Sequence, residues 1–280
     1  VRAAAASPFG DAVLTARYAE GLQVYLDTRP VRTANKSILT VPASKHQLAT
    51  AIALEWDLLL SAQQALKTHY IPMTSLAARA LDIEAADAEG KAHVRDDVLG
   101  LLMRYLHTDT LLCWAPAKVM NETKQNGKTL RELQMETATP IIAHLTTHIW
   151  PGVEIKPILE ADSIMPVEQP AMTQQVIRTW LAALPAFELA GLERAVLASK
   201  SLLVGTRLVH EWAEAFASSR KSVDADAGRF GIEEATEASS LEVRWQTGQW
   251  GEVEDTHDVE KEDMRRQLGS AILLVAGDAL

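Results

Sequence analysis

The stretch that most constrains this chain runs from about Ala186 to Trp212, AFELAGLERAVLASKSLLVGTRLVHEW. It contains no proline, is built from good helix formers, and follows Pro185, a residue suited to a helix start. Phe187, Leu189, Leu192, Val196, Leu197, Leu202, Leu203, Leu208 and Val209 cover most of a helical circumference. Only Glu193, Lys200 and Arg207 recur every seven residues as a narrow polar stripe. A helix apolar almost all round belongs in the middle of a bundle. Its charges exclude a transmembrane reading. One continuous buried helix is therefore expected here. Lys200 is either an edge residue lying along apolar surface or a functional cation.

The rest of the chain must cover that helix. In the first forty residues, Leu22, Val24 and Leu26 alternate with Gln23, Tyr25 and Asp27, the period of a half-buried strand. Turn residues surround them, and further short strands are expected near Val13–Arg17, Val31–Thr33 and Ile38–Val41, giving a small antiparallel meander. Ser44, with Gln47 three residues on, predicts a capped helix carrying Leu48, Ile52, Trp56 and Leu59 on one side. Trp56 is expected to anchor that helix against the sheet or the neighbouring domain, the competing reading being a partner contact. A second helix is expected from Pro72 to about Ile83, and Ala88-Glu89-Gly90-Lys91 reads as a linker.

Beyond it the pattern is mainly helical. Val94, Val98, Leu101, Leu102 and Tyr105 make one inner face, and Thr139-Pro140 reads as the opening of another helix. Thr108–Trp114 fits either a helix end or a short extended segment. A closing helix uses Met264, Leu268, Ile272 and Val275. The fold class is α+β. The linker is short, so the sheet-bearing part before it and the helical majority after it are expected to pack together.

Composition narrows the chemistry. With a net charge of -10 and no basic patch interleaved with aromatics, a nucleic-acid partner is not expected. The single cysteine, Cys113, excludes an internal disulfide and a thiolate zinc cluster. The acid-poor VRAAAASPFG segment has the character of a transit peptide or of a disordered terminus. No glycine-rich phosphate loop, GxSxG elbow or HExxH motif occurs. His144 and His148 have the spacing of two metal ligands on one helix face, but no third ligand is evident nearby, and they read as rim histidines. No metal or other cofactor is expected.

The remaining feature is WGEVEDTHDVEKED, where seven acids accompany a single Lys261. It reads as a solvated helix start or as an acidic patch for a partner. Glu254 with Asp258 could in principle form a paired-carboxylate site, yet nothing supplies a nucleophile or a substrate cradle. The residues alone favour a binding or assembly protein.

At SIMPVEQP, AGLERAVLASKSLLVG and QWGEVEDTHDVEKEDMRRQLGSA, the chain resembles the ATP synthase mitochondrial F(1) complex assembly factor family specific for the alpha subunit. VYLDTRPVRT, AIALEWD, IPMTSLAARALD and YLHTDTLLCW agree, so the likeness spans roughly Tyr18 to Gly269. Two departures stand out. Thr28 occupies a position where the family usually has glycine, which puts a type I′ turn in doubt, and Ser218 to Ser240 matches little.

The resemblance implies two domains, a small N-terminal antiparallel sheet domain with covering helices over residues 1–90 and a larger all-α helical bundle domain over 91–280. It implies a non-catalytic chaperone of the mitochondrial matrix. It would bind the unassembled alpha subunit, prevent its aggregation until a beta subunit replaces it, work as a monomer and insert into no membrane. It also points to Trp250, Glu252, Glu254, His257 and Asp258 as partner-binding residues. The alternative is a metal-dependent hydrolase using Glu254, His257 and Asp258.

Overall fold

The computed structural model describes residues 13–19, 21–116, 125, 127–159, 166–220, 229–251 and 257–278. β1 (Val13–Tyr18) and β2 (Gly21–Leu26) form an antiparallel hairpin in register from Val13↔Leu26 to Tyr18↔Gly21. β3 (Arg29–Pro30) and β4 (Thr40–Val41) pair with opposite ends of β2, which makes β2 the central strand. Of the strands expected near Val31–Thr33 and Ile38–Val41, only an Arg32↔Ile38 bridge and β4 form.

Gly21 is needed at the start of β2. Its φ is +144°, and a Cβ there would lie 2.3 Å from the Val41 carbonyl oxygen, so no side chain fits where β4 approaches. At the β2–β3 turn Asp27 takes the left-handed conformation (φ 53°) while Thr28 does not. A type I′ turn needs both, so this hairpin turns another way. The central position of β2 also buries Gln23, on the strand's expected polar side; its amide donates to Thr40 Oγ1 at 3.0 Å and its carbonyl accepts from Tyr25 Oη at 3.1 Å.

α1 (His46–Asp57) lays Leu48, Ala49 and Ile52 on the sheet. Ser44 does not cap it. The His46 N–H is taken instead by the carboxylate of Asp278 at 2.9 Å, and Ser44 donates to Glu214 at 2.8 Å. The buried Lys45 returns the favour, donating to the last carbonyls of the chain's closing helix, Val275 at 3.0 Å and Ala276 at 3.2 Å. The two helix ends thus satisfy each other's orphan groups. Burial lowers the Lys45 pKa, against the opposing pull of Glu188, Glu214 and Asp278.

α2 (Pro72–Ala88) runs a turn longer than expected and meets α3 (Ala92–His107) through a tight turn at Gly90. Trp56 anchors α1, with α2 as its hydrogen-bond partner where the sheet or the neighbouring domain was expected: it packs against the core and donates from Nε1 to Thr74 Oγ1 of α2 at 3.1 Å. α4 (Leu130–His148) begins ten residues before Pro140, at a capping box between Thr129 and Glu132. Pro140 therefore sits inside a helix, not at its start.

α5 (Ala171–Ala182) leads into the central stretch. There one expected helix is two: α6 (Ala186–Ser199) and α7 (Leu202–Trp212). α8 (Ala217–Arg220), α9 (Ile232–Ser239), α10 (Leu241–Trp250) and α11 (His257–Val275) follow. α6 packs against α7, α2 and α11, and one buried apolar cluster runs from Leu22 of the sheet through α6 and α7 to Val275. α11 buries Leu268, Ala271, Leu274 and Val275. Among the described residues, no helix is long and apolar enough to cross a membrane.

The helix breaks at Lys200 and Ser201 because the local donors and acceptors are better satisfied there than in a continued helix. Lys200 is left-handed (φ 56°) and exposed, which favours the edge reading of this residue. Ser201 caps α7 by accepting from Val204 N–H at 3.0 Å. Asp109, fully buried, accepts from Leu203 N–H at 3.0 Å with one oxygen and from Leu111 N–H at 3.0 Å with the other. The Thr108–Trp114 stretch is thus a single 3-10 turn, Thr110–Leu112, capped by the same carboxylate.

Candidate functional site

α10 is held by Trp245, which is buried, and by the Gln125 amide donating to the Trp245 carbonyl at 3.4 Å. Seven residues apart on the opposite side, Val243 is 43% exposed and Trp250 is 78% exposed. Residues at that spacing share a helix face. The helix stops at Gly251, whose φ of 87° suits a glycine terminator and whose N–H reaches the Thr247 carbonyl at 2.8 Å. Trp250 therefore stands at a helix end with its ring in solvent, close to where the acidic run begins.

Of the other expected contact residues, Glu252 and Glu254 lie outside the described residues. His257 and Asp258 are the first two residues of α11, and their side chains lie outside the description. Further into α11 the charges have partners. Arg265 bonds Glu262 at 2.6 Å and Glu233 of α9 at 2.5 Å, and Arg266 bonds Asp263 at 2.5 Å. The Arg266 and Gln267 side chains hold the Asp263 carboxyl below its usual range, against partial burial. Glu260 and Val259 are exposed, Val259 by 62%. Val243 and Trp250 on α10 and Val259 on α11 are thus exposed apolar side chains, Val259 next in sequence to the exposed Glu260. The family resemblance had pointed to the tryptophan and to neither valine, because an isolated valine in a polar run carries no pattern.

The histidines form a different group. His144 Nε2 lies 3.1 Å from His210 Nδ1 of α7, and the His148 ring is 4.7 Å from that of His144. His210 is buried and stacks on Phe216. Burial, with Arg207 nearby, pulls the His144 pKa down to about 3, so the His144 ring is neutral at physiological pH. Among the described residues, no three His, Cys, Asp or Glu side chains converge to hold a metal ion.

A second exposed apolar surface was not expected from the sequence. Leu54, Leu58, Leu60, Leu66 and Tyr70 are exposed by 54%, 71%, 80%, 85% and 43% at the end of α1 and along its connection to α2. The run LLLSAQQAL was its signal, but read as a helix continuing past Asp57 those leucines would have been core.

Large apolar side chains kept in solvent suit a surface that meets another protein, and the family to which the chain belongs makes it an assembly chaperone, not an enzyme. The chain belongs to the ATP12 chaperone family, whose members act in ATP synthase assembly. The family model for the ATP12 chaperone protein matches residues 10–146. The mitochondrial protein atp12 of Schizosaccharomyces pombe is 32% identical over 90% of this chain and 76% of its own length. The mitochondrial protein ATP12 of Saccharomyces cerevisiae is 32% identical over 90% of this chain and 78% of its own. The crystal structure of Atp12 from Paracoccus denitrificans shares the fold, with a TM-score of 0.67 at 23% identity over 96% of this chain and 97% of that one. Family membership removes the hydrolase alternative.

Proposed function

We propose that the client of this chaperone is the unassembled alpha subunit of the ATP synthase. The chaperone would hold it in the mitochondrial matrix until a beta subunit takes its place. The contact surface is the α10–α11 junction: Trp250 with Glu252, Glu254, His257 and Asp258. The compartment is supported by the mitochondrial relatives, and the client by the sequence blocks shared with alpha-specific assembly factors.

The observation that carries the reading is Trp250, 78% exposed at the end of a helix that is otherwise seated by Trp245. A large ring kept in water earns no folding stability, and tryptophan is the residue most favoured where few contacts carry much binding energy. An unassembled ring subunit exposes interface surface that a soluble monomer does not tolerate. A chaperone for it must bind well and then yield. A few aromatic anchors set among acids suit that requirement, since rim charges govern encounter and exchange more than final affinity.

The test uses purified, separate alpha and beta subunits. Wild-type chaperone should capture alpha and prevent its aggregation, and should release it when beta is added. Glu254→Lys should keep helix content and melting temperature while alpha capture falls. Capture of beta in preference to alpha sinks the assignment of client. A Glu254 variant that protects alpha at wild-type stoichiometry removes this junction from the contact.

A further inference from the structure

Two adjacent charges on α6 have opposite fates. Glu193 is held by Arg79 of α2, which donates from Nε at 2.9 Å and from Nη2 at 3.0 Å. Arg194 beside it is half-buried, and its Nε lies inside the protein with no hydrogen-bond partner. Among the described residues its guanidinium joins no hydrogen bond and no ion pair. The side of α6 that carries Arg194 meets α11. Gly191, three residues earlier, lies so close to that helix that a Cβ there would fall 2.3 Å from the Val275 side chain. The charged groups that act on Arg194 are Asp263 and Arg266, both of α11. Asp263 is already used: one of its oxygens accepts from Arg266 Nη2 at 2.5 Å and the other from the Gln267 amide. Burial therefore lowers the Arg194 pKa, with Asp263 opposing the fall and Arg266 adding to it. Two guanidiniums thus face one carboxylate, a local excess of positive charge in a chain whose formal net charge is -10.

A partly buried cation with unused donors is costly unless something pairs with it. The arginine fork matches the two oxygens of a carboxylate, or of a phosphate, with parallel bonds. We propose that Arg194, with Arg266 at its side, is an oxyanion site that takes one carboxylate side chain of the client. The proposal rests on the client reading above and adds a buried charge contact to it. The position of the site supports a client carboxylate as its occupant. Val259 and Arg266 are exposed and seven residues apart on α11, so they share a face, and Asp263 lies between them on it. Arg266 is eight residues beyond Asp258, about 12 Å along the helix. A client seated on the α10–α11 junction therefore reaches the site along one continuous face. A free oxyanion has the same chemistry, and inorganic phosphate serves as the probe that separates the two sources.

The experiment uses the full-length chaperone and purified alpha subunit, with Arg194→Met, Arg194→Gln and Arg194→Lys. Melting temperature, size-exclusion elution and affinity are recorded for each. Arg194→Met should melt at or above the wild type, because an apolar chain of similar length replaces a charge with no partner. It should bind alpha at least tenfold more weakly, with Arg194→Lys in between, since lysine keeps the charge and loses the fork. Phosphate at constant ionic strength should weaken alpha binding by the wild type and leave that of Arg194→Met unchanged. If Arg194→Met and Arg194→Gln both melt below the wild type, the fold itself holds the guanidinium and the proposal is overturned. If only the methionine variant does, Arg194→Gln carries the binding test. Binding within twofold of wild type by the folded variant overturns the proposal and leaves the α10–α11 contact standing. If in that case phosphate still raises the melting temperature of wild type alone, the site takes a free oxyanion instead of the client. If wild type captures beta and not alpha, the client reading fails, while loss of beta binding in Arg194→Met still supports the site. Capture of neither subunit overturns both. A wild-type dimer that Arg194→Met splits assigns the carboxylate to a second copy of the chain and also overturns the proposal.

Discussion

The chain interrupts its helices at two instructive places, the α6–α7 break at Lys200–Ser201 and the α10–α11 break at Gly251. At the first, the polar groups around the interruption are buried and paired. Ser199 Oγ donates to the Ala195 carbonyl at 2.8 Å, Thr110 Oγ1 donates to the Ser199 carbonyl at 3.2 Å, and Asp109 takes amides from both α7 and the 3-10 turn. At the second, a left-handed glycine ends α10 and leaves Trp250 in solvent. Interior breaks are held by their own hydrogen bonds because unpaired groups there are expensive. Among the described residues at the second break, the largest side chain, Trp250, stands free in solvent. A helix interruption is thus read by what surrounds it, not by its sequence.

The strongest way to break this comparison is to remove Asp109. Asp109→Ala strips an acceptor from two caps and leaves buried N–H groups unpaired, which should cost about 3–5 kcal/mol in denaturant unfolding. A loss below about 1 kcal/mol would mean the interior break holds without it. Next in size, Leu203→Ala, at a fully buried position just inside α7, should cost about 2–5 kcal/mol. Agreement between the two would show that polar closure and packing contribute comparably at this one break.

How much of this was legible beforehand differs between the two breaks. The burial of Leu192, Val196, Leu203 and Leu208 follows from composition and spacing, whereas in α11 only Leu268 and Val275 of the expected stripe are buried, with Ala271 and Leu274 beside them and Met264 and Ile272 partly exposed. The interruption at Lys200 does not, because its cause is Asp109, ninety residues earlier in a stretch whose conformation periodicity left open. The same holds for α1, where Ser44 matched a local capping pattern but the cap came from Asp278 at the far end of the chain. Local rules find the elements, and long-range hydrogen bonds decide where they stop. The apolar surface around Leu58 and Leu60 was missed for a related reason: hydrophobicity marks what can be buried, and only the fold shows what is not. At the acidic junction Trp250 was named through the family resemblance, and its exposure became visible only in the fold.

A smaller effect comes with pH, and it separates the interior from the junction. His144 in the folded chain has its pKa lowered from 6.5 to about 3 by burial, so the unfolded chain binds more protons between those values. Stability conferred by the neutral His144 is whole above pH 6.5 and drains away as pH falls toward 3. Asp109 has the opposite sign. Burial raises it from 3.8 to about 6, so the folded chain holds the proton longer and its contribution declines as pH rises through that interval. His144→Gln should flatten the acid-side loss, and Asp109→Asn should remove the opposing slope, both read from denaturation midpoints across pH 4 to 7. Identical profiles for wild type and His144→Gln would show that the imidazole pair does not couple to folding.

The smallest expected effect on stability is at the exposed break. Trp250→Ala removes a ring that is 78% in solvent and makes no hydrogen bond among the described residues, so unfolding free energy should change by less than about 0.5 kcal/mol. Helix α10 should persist, since Trp245 and the Gly251 terminator remain. Client capture should nevertheless fall, by tenfold or more if the ring is an anchor worth about 1.4 kcal/mol or greater. Trp245→Ala supplies the contrast on the same helix: it empties a buried site, should cost about 3–5 kcal/mol, and should lower binding only as far as it lowers the folded fraction. Measuring both by thermal melting and by alpha-subunit affinity turns two tryptophans five residues apart into opposite cases. If Trp250→Ala melts early, the ring is packed and the junction is a closed break like the one at Lys200. If it melts normally and binds normally, the tryptophan is exposed for some other reason, and the client contact lies elsewhere on the surface.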